Sequence, residues 1–233
     1  MNMLTLLQTN LTDTTVTALE NNAAAETTKF IDLALKGGWV MIPIVLLSII
    51  AVYIFFERWG AIRRASRFEI NFMNRIKDYI HEGKLESAHA LCQSYNNPVA
   101  RMIEKGINRI GKPLNDVNAA IENIGKLEIY QLEKGLPFLA TVAGGAPMIG
   151  FLGTVMGMIR SFMDMSEAGS NIVVSQLSDG IYQALITTVA GLIVGIMAYF
   201  AYNILVSNIE KIVFHLEAST TQFMDLLNEP VKK

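Results

Sequence analysis

Gly150, Thr154, Gly157 and Ser161 recur at i, i+4, i+7 and i+11, and Ala184, Thr188, Gly191, Gly195 and Ala198 at i, i+4, i+7, i+11 and i+14. On helices, each series places small residues and one threonine on a single face. Such faces let backbones approach closely in lipid, where van der Waals contact and hydroxyl hydrogen bonds replace hydrophobic drive. Packing alone is the simplest reading. A threonine hydroxyl can also hold water or solvate a carboxylate brought by another chain, but it does not titrate near neutral pH.

Other reactive side chains are sparse. His89 and Cys92 stand at i and i+3, a spacing open to metal ligation or thiol activation, but His81 is distant and Cys92 is the only cysteine. A coordinating cluster needs more ligands, so a buried structural Cys92 and solvated histidines are expected. No intrachain disulfide is possible. His81, His89 and His215 all lie outside the apolar stretches, which leaves an intramembrane hydrolase without a base. Gly144-Gly145-Ala146-Pro147 lacks the lysine of a phosphate loop. These residues point away from an enzyme and call for no cofactor and no metal.

The elements that carry the threonines are apolar. Gly38–Phe56, Gly135–Ile159 and Gly180–Ile209 contain no Asp, Glu, Lys, Arg or His. At about 1.5 Å per helical residue each can cross a hydrocarbon layer ~30 Å thick. The chain has 233 residues, 52% hydrophobic, with a mean hydropathy of +0.35 and a net charge of −2. That is too apolar for an ordinary soluble domain and far from the basic balance of a nucleic-acid binder. An all-α membrane protein with three transmembrane helices is expected. Proton relays usually need titrating groups within the membrane, so any proton crossing here must ride on a residue supplied by a partner.

Cation counts set the orientation. Glu57–Lys134 holds 13 Lys and Arg, whereas the chain before Gly38 has only Lys29 and Lys36, and Arg160–Asp179 has only Arg160. The positive-inside rule puts the N-terminus outside and the C-terminus inside. Met1–Leu7 lacks a basic start and Gln8–Glu26 is polar, so the first span is expected to act as an uncleaved anchor. The expected organisation is an external tail at 1–37 with a short interfacial helix around Phe30–Leu35, then a first span at 38–56 flanked by Trp39 and Trp59. A cytoplasmic helical domain at 57–134 follows, then a span at 135–160, an external loop at 161–179, a span at 180–206 and a cytoplasmic helix and tail at 207–233. Asp164, Glu167 and Asp179 read as a solvated loop. Arg58, Arg63, Arg64 and Arg67 read as an orientation signal that touches anionic lipid.

Helical stripes organise the cytoplasmic part. They run through Phe68, Phe72, Ile76 and Tyr79; through Leu85, Ala88, Leu91, Cys92 and Tyr95; through Val99, Met102, Ile103 and Ile110; and through Val117, Ile121, Ile124 and Leu127. Ile212, Leu216, Thr220, Phe223 and Leu227 continue one face beyond the third span. Spans two and three are therefore expected to project as long helices that pack on the middle segment, with self-association covering what remains.

Lys36–Arg58 (KGGWVMIPIVLLSIIAVYIFFER), Gly150–Gly157 (GFLGTVMG) and Gly180–Gly195 (GIYQALITTVAGLIVG) resemble the MotA/TolQ/ExbB proton-channel family, with further likeness in Gly83–Gly106. The resemblance spans roughly residues 35–228, and three spans with an external tail point to its ExbB and TolQ branch, ExbB above all. It implies a pentamer of this chain around a dimer of a single-span ExbD- or TolR-like partner, whose transmembrane aspartate carries the proton, with a TonB-like protein as a further partner. It also implies a bacterial inner-membrane location and the use of proton motive force for outer-membrane transport. Envelope maintenance of the TolQ kind, a motility stator and a non-conducting scaffold are the alternatives. Thr154 and Thr188 match the family's pore threonines, and Thr187 and Gln183 join them as expected pore-lining residues of the proton pathway. Gly150, Gly157, Ala184, Gly191 and Gly195 would pack around the partner. The family often carries glutamate at the position of Gln183, which can hydrogen-bond but supplies no charge. Its frequent proline in the third span is replaced by Gly195-Ile196-Met197.

Overall fold

The computed structural model describes residues 37–66, 69, 71–168 and 174–228. The tail, its expected interfacial helix, Arg67, Phe68 and the last five residues lie outside the described residues. Seven helices follow in order among those described: α1 (Met41–Ala65), α2 (Phe72–His81), α3 (Leu85–Ser94), α4 (Pro98–Ile107), α5 (Leu114–Glu133), α6 (Leu136–Ala168) and α7 (Val174–Asn228). No strand occurs among the described residues. Three segments are long and apolar enough to cross a membrane: Met41–Ala65, Leu114–Glu167 and Ser178–Asn228. The chain is an all-α membrane protein.

The helices overrun the expected span limits. Helix α6 continues to Ala168 and α7 is already formed at Val174, so Asp164, Glu167 and Asp179 sit exposed on helical turns rather than in a loop. The reason is local: after Gly157 the sequence offers no breaker before Gly169. At the other end, Gly135 adopts φ +88°, which separates α5 from α6 at the expected Gly135-Leu136-Pro137 break. Pro43 occupies the first turn of α1, where its missing N–H costs nothing.

The chain divides into two compact units, one of residues up to Ser48 with Gly144–Gly195, the other of Ile49–Ala143 with Ile196 onward. In the first, Val40, Met41 and Ile44 pack against Ile149, Ile186, Ala190 and Val194. In the second, α2 packs on α3, α3 on α4 and α4 on α5. Asn97 starts α4 by accepting the Ala100 N–H at 2.7 Å, with Pro98 as the first helical residue. Gly106 of α4 lies so close to α7 that a Cβ there would stand 2.6 Å from the Phe223 ring and 2.8 Å from Ile121 Cδ1. Ile212, Leu216 and Phe223 are fully buried, as expected for a long α7 that packs on the middle segment, but Leu226 rather than Leu227 completes the stripe. Thr220 is half-buried, and its hydroxyl donates to the Leu216 carbonyl at 2.9 Å.

Two stripes differ from expectation. Leu85 is exposed, because α3 begins there and buries Ala88, Leu91 and Cys92 instead. On α5 the buried face runs Val117, Ile121, Gly125, Glu128 and Leu132, leaving Ile124 half-buried and Leu127 57% exposed. Gly125 admits the Met102 side chain, and Glu128, only 7% exposed, meets Arg101. Arg101 Nε donates to Glu128 Oε1 at 2.7 Å and Nη2 to Oε2 at 2.5 Å, while Nη1 donates to Asn96 Oδ1 at 2.8 Å. The hydrogen bond to Glu128 raises the Arg101 pKa, so the guanidinium stays charged at every working pH.

Truncating Glu128 to Ala should lower the unfolding free energy by about 1–3 kcal/mol, less than for a fully buried pair because Arg101 is partly exposed. Thermal unfolding of the purified protein measures this, and Arg101→Gln should lose a similar amount. Burial first, and the Glu104 charge second, push the Cys92 thiol up from 9.0 to about 12. A pKa raised by folding favours the native state below the unfolded value and ceases to do so as pH climbs. Stability should therefore fall between pH ~9 and ~12, and Cys92→Ser should flatten that decline. At pH 7.5 maleimide should label Cys92 only after denaturation.

Candidate functional site: the small-residue seam

The first unit brings α6 and α7 together along their small residues. On α6 the buried positions are Ala146, Gly150, Gly153, Gly157 and Ser161; on α7 they are Gly180, Ala184, Thr187, Gly191 and Gly195. Both series step by three or four, the spacing of one helix face. A Cβ at Gly150 would lie 2.8 Å from the Thr187 carbonyl oxygen, 3.1 Å from Thr188 Cα and 3.2 Å from Gly191 Cα. At Gly157 it would lie 2.8 Å from both Ala184 Cβ and the Gly180 carbonyl oxygen, and at Gly191 2.5 Å from the Ala146 carbonyl oxygen. These are main-chain atoms, with the equally fixed Ala184 Cβ, and none can swing aside. Glycine is required here for close approach.

The threonines divide by role. Thr187 is 1% exposed; its hydroxyl donates to the Ala184 carbonyl at 2.8 Å and lies 3.4 Å from the Gly150 carbonyl. Thr188 is half-buried and donates to the Gly150 carbonyl at 3.0 Å. Thr154, also half-buried, donates within its own helix to the Phe151 carbonyl at 2.6 Å. The structure thus gathers Thr187 and Thr188 at Gly150 and leaves Thr154 one turn along α6. A hydroxyl donating to a carbonyl keeps its lone pairs free to accept from a water or a protonated acid. Gln183 is half-buried beside the turn that starts α1, its Cδ 3.1 Å from where a Cβ of Gly38 would stand. Gly38 has φ +70°, so a side chain there would meet both strain and the amide.

The small-residue periodicity puts Thr188 on the seam of α7 and leaves out Gly153 and Gly180. Thr187 in fact takes the central position, with Gly153 opposite its side chain and Gly180 against Ser161. The signal is present in the alternative i, i+3, i+7 series Ala184, Thr187 and Gly191, which also keeps small residues on one helix face. Outside the seam, His89 Nε2 lies 3.1 Å from Glu104 Oε1 and is partly shielded rather than fully solvated. Among the described residues, no group of three His, Cys, Asp or Glu side chains is placed to hold a metal ion.

Comparison with known proteins falls on this same region. Residues 94–218, from α3 through the seam to the extension of α7, match the MotA/TolQ/ExbB proton channel family. The chain belongs to that family. It is 31% identical over 184 residues to the ExbB-like 1 protein of Synechocystis sp., covering 78% of this chain and 72% of that one. It is 27% identical over 203 residues to the Tol-Pal system protein TolQ of Pseudomonas aeruginosa, covering 82% and 87%. With TolQ of Haemophilus influenzae the identity is 32% over 199 residues, covering 75% and 82%. This membrane protein is a proton-channel subunit of the ExbB/TolQ type, in a family of channels rather than enzymes.

The seam makes opposite predictions for neighbouring glycines of α6. Gly150→Ala should destabilise by about 1–3 kcal/mol through overpacking. Gly144→Ala meets nothing within 4 Å and should stabilise by up to about 1 kcal/mol. Detergent or urea titration of helicity checks both.

Proposed function

We propose that this chain forms an inner-membrane pentamer around a dimer of single-span ExbD- or TolR-like subunits, and that the assembly converts proton motive force into work on the outer membrane. The carrying observation is the chemistry of the seam: hydroxyls at Thr154 and Thr188 stand in apolar stretches without one Asp, Glu, Lys, Arg or His. The titrating group therefore belongs to the partner, as a transmembrane aspartate. While each hydroxyl donates to its own main chain it can accept from the neutral acid; turned away from the carbonyl, it donates to the carboxylate. Protonation removes the cost of placing the aspartate against an apolar wall, and release restores its charge beside Thr154 and Thr188. Each charge moved down the potential supplies about 2.3 kcal/mol per 100 mV, enough to bias rotation or piston motion of the dimer.

Several observations support the assembly. Large apolar side chains face outward along α1, among them Ile42, Ile49, Tyr53 and Phe56, and along α6 and α7. They suit lipid on one side and neighbouring subunits or the partner on the other. Tyr130 and Leu127 of α5, 71% and 57% exposed, suit contacts between copies. The cation asymmetry favours an external N-terminus, a cytoplasmic segment at 57–134 and a cytoplasmic C-terminus. The relatives named ExbB-like favour outer-membrane transport with a TonB-like partner, and those named TolQ favour envelope maintenance. Gly150, Gly157, Ala184, Gly191 and Gly195 hold the pore wall thin, with Thr187 acting as a packing residue and Gln183 as a hydrogen-bonding residue near its edge.

The test is a comparison of threonine variants in proteoliposomes that hold both subunits. Thr154→Val and Thr188→Val together should cut proton uptake by about tenfold or more with complex abundance unchanged. Thr187→Val should act on stability instead. Proton flux that persists in the double variant would make these threonines packing residues only, and brisk flux through the chain without its partner would overturn the assignment of the acid to another polypeptide.

A further inference from the structure

The second unit contains a cavity of about 340 Å³ between α1 and α7 whose lining is basic. Its floor is apolar, with Ile62 and Ile212 buried, and its walls carry Arg63, Lys211 and His215 together with Ser66 and Asn208. Among the described residues, none that lines it is acidic. Neither Arg63 nor Lys211 forms an ion pair with a described residue. The Asn208 amide gives one N–H to the Ile204 carbonyl at 2.9 Å and keeps a second.

The height of the cavity matters as much as its charge. Along α1 it begins three residues after Phe56, and along α7 it straddles Ile209, the last residues of the two uncharged stretches. Trp59, 39% exposed, stands at its edge, as an aromatic does at a membrane–water boundary. Converging donors around an apolar floor at that depth match a phosphodiester, which offers only acceptors, with its acyl chains held on the hydrocarbon side. We propose that this cavity is a specific site for the headgroup of an anionic phospholipid. The site is independent of the proton pathway proposed above.

A second copy of the chain is the competing occupant. A separate groove of about 290 Å³ carries Glu133, Glu210 and Glu217, opposite in sign. Both surfaces are recesses, however, and two recesses cannot fill one another. A lipid headgroup fits the basic one without that conflict.

Native mass spectrometry of the full-length protein, released from nanodiscs of mixed phosphatidylglycerol and phosphatidylcholine, reads the site directly. The wild type should retain phosphatidylglycerol preferentially, and Arg63→Gln with Lys211→Gln should weaken that retention roughly 30-fold. Arg109→Gln with Lys112→Gln, at an exposed turn elsewhere, should leave it unchanged. Excess inorganic phosphate should not displace the lipid; displacement would assign the cavity to a soluble anion instead. Undiminished preference in the Arg63/Lys211 variant would overturn the proposal. So would loss of the oligomer, rather than of lipid, in both that variant and Glu210→Gln with Glu217→Gln, which would assign the cavity to a neighbouring copy.

Discussion

Everything in the first unit follows from how near the backbone of α6 comes to that of α7 at Gly150. In lipid there is no hydrophobic gain from joining two apolar helices, so their association depends on close contact and on hydroxyls that find acceptors across the gap. Gly150 and Gly191 remove the side chains that would hold the axes apart, and the Thr188 hydroxyl reaches the carbonyl that this removal uncovers. The two features need each other. A larger residue at 150 would carry the acceptor away from Thr188, and without the hydroxyl the close approach would leave a carbonyl with one partner fewer.

The second unit solves the same problem with water nearby. There α4, α5 and the extension of α7 meet at Gly106, where the buried Phe223 ring and Ile121 close on the α4 backbone, in a manner that any soluble helical domain would share. Its distinguishing feature is Glu128, an acid placed in an apolar stripe and held by two hydrogen bonds from Arg101. Because a buried carboxylate is costly without its partner, α4 and α5 must pack so that Arg101 reaches Glu128.

Much of this is legible in the amino-acid sequence. Uncharged runs of sufficient length announce spans, and glycines at three- and four-residue spacing announce a seam, because lipid imposes both rules with few exceptions. The seam's exact face was harder to read. Thr187 and Thr188 are adjacent, and small residues at 184, 191 and 195 fit either one; only the approach of Gly153 to Thr187 decides between them. Glu128 escaped for a related reason. Periodicity alone favoured Ile124 and Leu127 as the buried face, and nothing local reveals that Arg101, 27 residues away in sequence, would come to meet a carboxylate. The basic cavity likewise depends on residues from α1 and α7 that no linear pattern connects.

The lone thiol has a practical consequence. Cys92 is enclosed by α3 and its neighbours and remains protonated across the physiological range. The natural chain can therefore serve as its own silent background for cysteine-based reporters. A spin label, fluorophore or cross-linker placed on the outward face of α1 or α5 would report on whatever meets that face with no prior removal of the native sulfur, and so with no disturbance of the helices that enclose it.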